Sequence, residues 1–263
     1  MSLPGDSTIT SDEQQSVDTE RQPDEVVSGA ANASTPANPT FFSTVWSIVW
    51  KDLTIERHTR QLLSVMLFFS LTTVVVYNFA LYGDLAAARE VATGLLWITI
   101  LLAGTLGLNR SLMSEQENRS LEAILMAPID RSAIYLGKVI SVLTFTLLVE
   151  AILVPIFIAF FNKPFWRPQV LLILFLGTIG YVAAGVLVTS MTVQTRTREV
   201  LLPVLLLPLT LPAVLAAAQI TAAFTAPVLP EWSEVQFAFA LVVAYDILMI
   251  TAGFLTYQYV VEE

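Results

Sequence analysis

The chain has 263 residues, of which 55% are hydrophobic and only 13% charged, with a net charge of −9. Globular domains carry about 25% charged residues, so the composition excludes an ordinary water-soluble domain and points to the bilayer. With no cysteine and a single histidine, it also excludes disulfides, thiolate metal sites, covalent haem attachment and His-rich metal clusters.

Residues 1–40 hold seven of the acids against one arginine, so most of the net charge sits in this tail. The acidity therefore does not indicate an acidic substrate, and no nucleic-acid partner is expected. The tail is rich in Ser, Thr, Asp, Glu, Gln, Asn and Pro with few large apolar residues, a composition predicted to be disordered. No basic segment followed by an apolar run occurs there, so it is not read as a signal peptide. A docking tail is the functional alternative. Residues 41–263 are expected to form one membrane domain.

From Phe41 to Arg60, Phe42, Val45, Trp46, Val49, Trp50 and Leu53 recur at helical spacing, while Ser43, Thr44, Ser47, Lys51, Asp52 and Thr54 lie elsewhere. This predicts an amphipathic helix whose tryptophans suit the membrane interface. His58, beside arginines, is expected to be a solvated interface residue rather than a ligand.

Six apolar stretches follow, at 62–82, 91–108, 139–161, 169–193, 200–223 and 236–260. Each is close to the length that crosses a hydrocarbon core of roughly 30 Å at about 1.5 Å per residue. The chain is thus predicted to be an all-α integral membrane protein with six spans. With the N-terminus inside, nine basic residues (Lys51, Arg57, Arg60, Arg110, Arg119, Arg131, Lys138, Arg196, Arg198) lie in inner loops. Three (Arg89, Lys163, Arg167) lie in outer ones. The positive-inside rule then puts both termini in the cytosol, and Trp166 and Trp232 fall where outer interfacial anchors belong.

The longest polar interruption runs from Asn109 to Lys138. Within it, Glu115 to Ala127 is expected to form a short cytosolic amphipathic helix. Glu115 and Arg119 are four apart on one face, and Leu121, Ile124 and Leu125 share an apolar face. Pro128 stops the helix, and Asp130 can cap the next. Such a helix is either a handle for a soluble partner or a surface helix resting on lipid headgroups.

Glu150 and Asp246 fall near mid-membrane, where a charge costs about 2.5–3.5 kcal/mol. Each is expected to face protein, a partner subunit or a wet cavity, or to be protonated. A hydrogen bond to a neighbouring helix is preferred to a proton or substrate path. Pro203, Pro208 and Pro212 predict a kinked or broken fifth span. Gly104 and Gly107, and Gly177, Gly180 and Gly185, are read as sites of close helix packing. Asn78 and Gln219 sit near span ends. No nucleotide-binding loop, H-E-x-x-H or G-x-S-x-G occurs, and no catalytic triad can be built around one His. The chain is not expected to be an enzyme, and catalytic and metal-ligating residues are none.

Taken together, Lys51–Asp52–Leu53 in the interfacial helix, the E-x-E-x-x-x-L-E segment Glu115–Glu122 closed by Ala127–Pro128, the run Tyr135–Leu136–Gly137–Lys138–Val139 and the Pro-rich fifth span resemble the haem exporter protein B (CcmB) family. That family provides permease subunits of the cytochrome c maturation ABC transporter. The resemblance covers about residues 42–260, and departs from the usual pattern at Arg119–Ser120, where a glycine and threonine are common. It implies an ABC-2-type six-span bundle in the bacterial inner membrane. It implies a soluble ATPase partner, together with a haem-handling membrane subunit and a small single-span subunit. The coupling helix would carry Glu115, Glu117, Arg119, Leu121, Glu122, Ile124 and Pro128. ATP would be used by the partner, and haem would be cargo of the complex rather than a cofactor bound by this chain. Met66, Met191 and Met249 are read as packing residues. The competing readings are an ABC-2-type permease for another cargo such as a lipid or polysaccharide, a non-transporting membrane scaffold, and a proton-coupled transporter using Glu150 and Asp246.

Overall fold

A computed structural model describes residues 40–117, 130–192 and 198–260. Among the described residues every regular element is an α-helix: α1 (Phe41–Thr59), α2 (Gln61–Ala80), α3 (Leu85–Glu117), α4 (Arg131–Phe161), α5 (Pro168–Thr192), α6 (Arg198–Thr225) and α7 (Trp232–Val260). All but α1 contain a stretch long and apolar enough to cross a membrane. The acidic tail, and most of the predicted coupling helix, lie outside the described residues.

In α1 the apolar residues divide between two faces. Thr44, Val45, Ile48, Val49 and Glu56 are buried against the protein, whereas Phe42, Trp46 and Trp50 are exposed. The sequence pattern merged these into one stripe and left out Ile48. The tryptophans remain free for the interfacial region, where amphipathic rings are favoured. α1 passes into α2 through one residue, Arg60, held in the left-handed conformation at φ 51°. The buried Glu56 carboxylate then accepts the N–H groups of Leu62 (3.2 Å) and Leu63 (2.8 Å). A helix start leaves its first donors unpaired; here the preceding helix supplies the cap.

At the opposite end of α2, Gly83 (φ 100°) makes the turn. Asp84 accepts from the N–H groups of Ala86 and Ala87 at 3.1 and 3.0 Å, starting α3. Asn162, also left-handed, ends α4 with its N–H on the Ile158 carbonyl at 2.9 Å.

Two helices are longer than the apolar runs predicted. α3 extends through Asn109 to Glu117, and α4 starts at Arg131, before Val139. Hydropathy locates the segment lipid can cover, but a helix continues while its residues permit. Arg, Leu, Met, Glu and Gln in 110–117 are all good helix formers. The fifth predicted span is not broken: α6 runs continuously through Pro203, Pro208 and Pro212. Each proline forfeits one backbone bond, and membrane helices tolerate this because local adjustments and neighbouring helices re-satisfy the backbone.

α5 is the central helix, in contact with α3, α4, α6 and α7. Its glycines admit large side chains rather than bare backbone. A Cβ on Gly177 would strike the Trp97 indole, and one on Gly185 the Leu108 side chain. Trp97 in turn donates through Nε1 to Thr221 Oγ1 on α6 (3.2 Å). Tyr181 of α5 donates to the Leu101 carbonyl and meets Thr105 Oγ1, both at 2.9 Å, on α3. The continuous core runs through Leu96, Trp97, Phe157, Tyr181, Leu206 and Val242. α2 packs only on α1, α3 and α4, at the edge of the bundle.

Candidate functional site

The end of the bundle that carries α1 is built around the first two turns of α4. Asp130 caps this helix, its Oδ1 accepting the Ser132 N–H at 3.0 Å. Tyr135 is fully buried, and its hydroxyl donates toward the Ala183 carbonyl of α5 (3.1 Å) and the Met249 carbonyl of α7 (3.3 Å). Its ring fills the space a Cβ on Gly253 would take and lies 5.6 Å from the Tyr257 ring. Ser132 Oγ reaches the Phe254 carbonyl at 3.4 Å.

The next residues serve α1. A Cβ on Gly137 would sit 2.9 Å from Ile48 Cβ, so only glycine lets α1 approach this closely. Lys138 Nζ lies 3.4 Å from Asp52 Oδ2, with both side chains largely shielded from solvent, while Lys51 flanks the same carboxylate at 3.3 Å. The runs Lys51–Asp52–Leu53 and Tyr135–Leu136–Gly137–Lys138, more than 80 residues apart in sequence, therefore form one contact. Its residues tie α4 to α1, α5 and α7 at once.

In sequence, the candidate coupling segment lies between α3 and this hub. Glu115 and Glu117 fall in the last turn of α3, continuous with the membrane span. Arg119, Leu121, Glu122, Ile124 and Pro128 lie outside the described residues, so the structure gives no geometry for them. Where α3 leaves the bundle, Arg110 Nη2 donates to Gln61 Oε1 at the start of α2 (2.6 Å).

The two mid-membrane acids flank α5. Glu150, 5% exposed, accepts a 2.5 Å hydrogen bond from Thr178 Oγ1. Asp246, 6% exposed, lies against Gly180, where a Cβ would collide with its Oδ1. Neither of its oxygens has a side-chain hydrogen-bond partner among the described residues. Thr178 and Gly180 are two residues apart, about 200° around the helix, so α5 passes between two carboxyl groups at similar depth. The proline-rich α6 is linked to α7 by Tyr245, whose hydroxyl donates to the Leu209 carbonyl (3.2 Å). Pro208 and Pro212 are exposed and Pro203 is half-buried.

At the far end, Arg167 Nη1 donates to the Phe224 and Ala226 carbonyls (2.5 and 3.0 Å), closing the C-terminus of α6. Lys163 Nζ lies 3.4 Å from Thr93 Oγ1. Burial holds the Lys163 pKa below the usual lysine range, with Glu90 opposing the shift. Trp166 and Trp232 are exposed here. Asn78 borders a cavity of about 340 Å³ with Leu81, Tyr82, Gly83, Phe160 and Phe161.

His58 is exposed on α1 with Nδ1 2.9 Å from the Thr54 carbonyl. Met66 is buried against Gly107, Met249 is buried in the core and Met191 is exposed. No cluster of three or more His, Cys, Asp or Glu that could hold a metal ion occurs among the described residues. Sequence reasoning missed Glu56 and Arg167, whose partners are backbone groups with no signature of their own. It quoted Asp52 and Lys138 without pairing them.

Comparison with known proteins places these features in a family. The profile described as CcmB protein matches residues 43–255, so it takes in α1, the hub and all six spans. The heme exporter protein B of Rhodobacter capsulatus is 29% identical over 162 residues, covering 60% of this chain and 72% of that protein. The heme exporter protein B of Pseudomonas aeruginosa is 27% identical over 160 residues, covering 60% and 71%. With the match spanning nearly the whole membrane part, and with the interfacial helix and the Tyr135–Val139 run inside it, this chain belongs to the CcmB family.

Proposed function

We propose that this protein is the permease subunit of an ABC transporter complex serving cytochrome c maturation, in which a separate soluble ATPase subunit supplies the energy. The observation that carries the reading is the family match across residues 43–255. The two relatives bearing the name heme exporter protein B support haem, or a haem-loaded carrier, as the output. The six-span bundle provides a membrane body, and the chain contains no nucleotide-binding loop of its own.

The proposed orientation puts the α1 end in the cytosol of a bacterial inner membrane, following the excess of Lys and Arg in that end's loops. Both termini are then cytosolic. The ring pair Phe41–Phe254, 6.4 Å apart, brings the start of α1 and the end of α7 to one end of the bundle. A haem-handling membrane subunit and a small single-span subunit complete the proposed complex.

In this mechanism the ATPase docks on the segment Glu115–Ala127, through the apolar face of Leu121 and Ile124 and the charges of Glu115, Glu117, Arg119 and Glu122. Closure of the ATPase moves this segment against Pro128 and Asp130. The first turns of α4 then transmit the displacement to α1 through Asp52–Lys138 and Gly137, and to α5 and α7 through Tyr135. A short polar segment thereby acts on most of the bundle without a long lever.

The test is a pair of variants, Leu121→Asp and Ile124→Asp, in a C-terminally tagged chain purified from native membranes. Loss of the co-purifying ATPase, with loss of mature c-type cytochromes and retention of the chain in the membrane, is the expected result. Normal ATPase recovery and normal cytochrome maturation would overturn the coupling assignment. If cytochrome c matures normally in cells lacking the whole chain, the haem reading itself fails and another cargo must be sought.

A further inference from the structure

The outward side of the Glu150–Thr178 contact is not sealed. Between α4 and α5 lies a groove of about 360 Å³, walled by Leu147, Val154, Leu171, Leu174 and Phe175, with Glu150 lining its floor and Trp166 at one end. Ala151, Pro155, Leu171, Phe175 and Trp166, which border the groove, are exposed. They belong to, or directly adjoin, membrane-spanning helices, so the groove opens into the bilayer. A ligand reaches it only by dissolving in lipid.

The lining is apolar apart from the Glu150 carboxyl and the Trp166 indole at one end. Thr178 Oγ1 already spends its hydrogen on Glu150 Oε1, and no other partner of Glu150 is found among the described residues. Glu150 thus presents its second carboxyl oxygen to this apolar space with no partner among the described residues. An unmet acceptor in hydrocarbon is costly, and lipid tails offer no donor. The volume lies at the low end of small-molecule sites, about 300–1,000 Å³, enough for a single-ring head group but not for an inserted helix. A permanently cationic head would have to lose its hydration at this depth, whereas a neutral hydroxyl would not.

From this we infer that the α4–α5 groove is a binding site for a membrane-dissolved amphiphile with a neutral hydroxyl head group. The hydroxyl hydrogen-bonds to the Glu150 carboxyl, and the apolar body runs along Leu171 and Phe175 toward Trp166. This site is separate from the coupling surface and does not depend on the transport reading.

A diazirine-bearing long-chain alkylphenol tests it in native membranes containing the intact complex, with labelled peptides located by mass spectrometry. The comparison probe is the methyl ether of the same phenol, equal in shape but unable to donate. Expected is labelling within 147–158 and 171–175 at least ten-fold stronger for the phenol. It falls at least ten-fold in Ala151→Phe, which fills the groove from its membrane-facing side without touching the bundle core, and in Glu150→Leu. Should Glu150→Leu fail to fold, the ether comparison and Ala151→Phe decide alone. Equal labelling by the ether would overturn the proposal, as would stronger labelling by a primary alkylamine probe of the same length. Labelling of the isolated chain but not of the intact complex would also overturn it, and would make the groove a subunit contact instead.

Discussion

Glu56 illustrates how much one acidic residue does when its partners are backbone groups. It sits four residues before the left-handed Arg60, and its two oxygens take the second and third N–H of α2. Losing a cap costs about 0.5–2 kcal/mol, so Glu56→Ala is expected to lower the unfolding midpoint of the detergent-solubilised protein, and Glu56→Gln to lower it less. A thermal scan followed by light scattering checks both. Asp52 and Lys138 form a shielded ion pair; removing one partner takes a close opposite charge from the other, at about 1–3 kcal/mol, with Lys51 still beside Asp52. A double-mutant cycle with Asp52→Ala and Lys138→Ala is expected to give less than additive destabilisation, because each single substitution already removes the contact the two share. Additive effects would show that the two residues act independently.

Among elements, the joint of α1 with α4 is the most informative. α1 is amphipathic, yet its buried face rests on α4 as well as at the interface, and Gly137 sets the distance of closest approach. Because the chain has no cysteine, Ile48→Cys with Gly137→Cys introduces a unique pair, whose Cβ atoms, 2.9 Å apart on the unrelaxed backbone, reach disulfide spacing once α1 backs off by about 1 Å. Mild oxidation is expected to join α1 to α4, read as loss of maleimide labelling of both thiols with no shift to a dimer on a gel. Unchanged labelling would mean that α1 does not dock as described. If the hub transmits motion as proposed, the crosslinked protein retains ATPase binding but loses cytochrome maturation, and reduction restores it. α6 makes a different point: three prolines leave it unbroken, and Tyr245 ties it to α7 through the Leu209 carbonyl.

On the scale of the whole molecule, the charge bias and the six spans make one labelling experiment decisive. Tyr82 in the α2–α3 turn and Glu231 before α7 are exposed at one end, and Ser47 on α1 is exposed at the other. In intact cells with the outer layers made passable, a membrane-impermeant maleimide is expected to label Tyr82→Cys and Glu231→Cys, and Ser47→Cys only after the inner membrane is opened. The reverse pattern would invert the proposed orientation and remove the coupling segment from the cytosol.

The number of spans, their order and the existence of α1 were legible in the chain, because the bilayer imposes a length and an apolar content that any spanning helix must meet. The start of α4 was legible too, since Asp130 is a local cap that needs no knowledge of the fold. The end of α3 beyond the lipid was not: Asn109–Ser114 read as part of a polar interruption, because polar residues tell hydropathy nothing about backbone conformation. What only the tertiary structure decided was which groups meet. Asp52 with Lys138, Tyr135 with the Ala183 and Met249 carbonyls, and Glu150 with Thr178 join residues 28 to 114 positions apart. The sequence supplied two acids at mid-membrane depth, and depth alone treats them alike. Packing separates them, giving Glu150 a hydroxyl donor and an open groove and setting Asp246 against the Gly180 backbone with no side-chain donor among the described residues, because donors and voids belong to the arrangement of helices and not to any one of them.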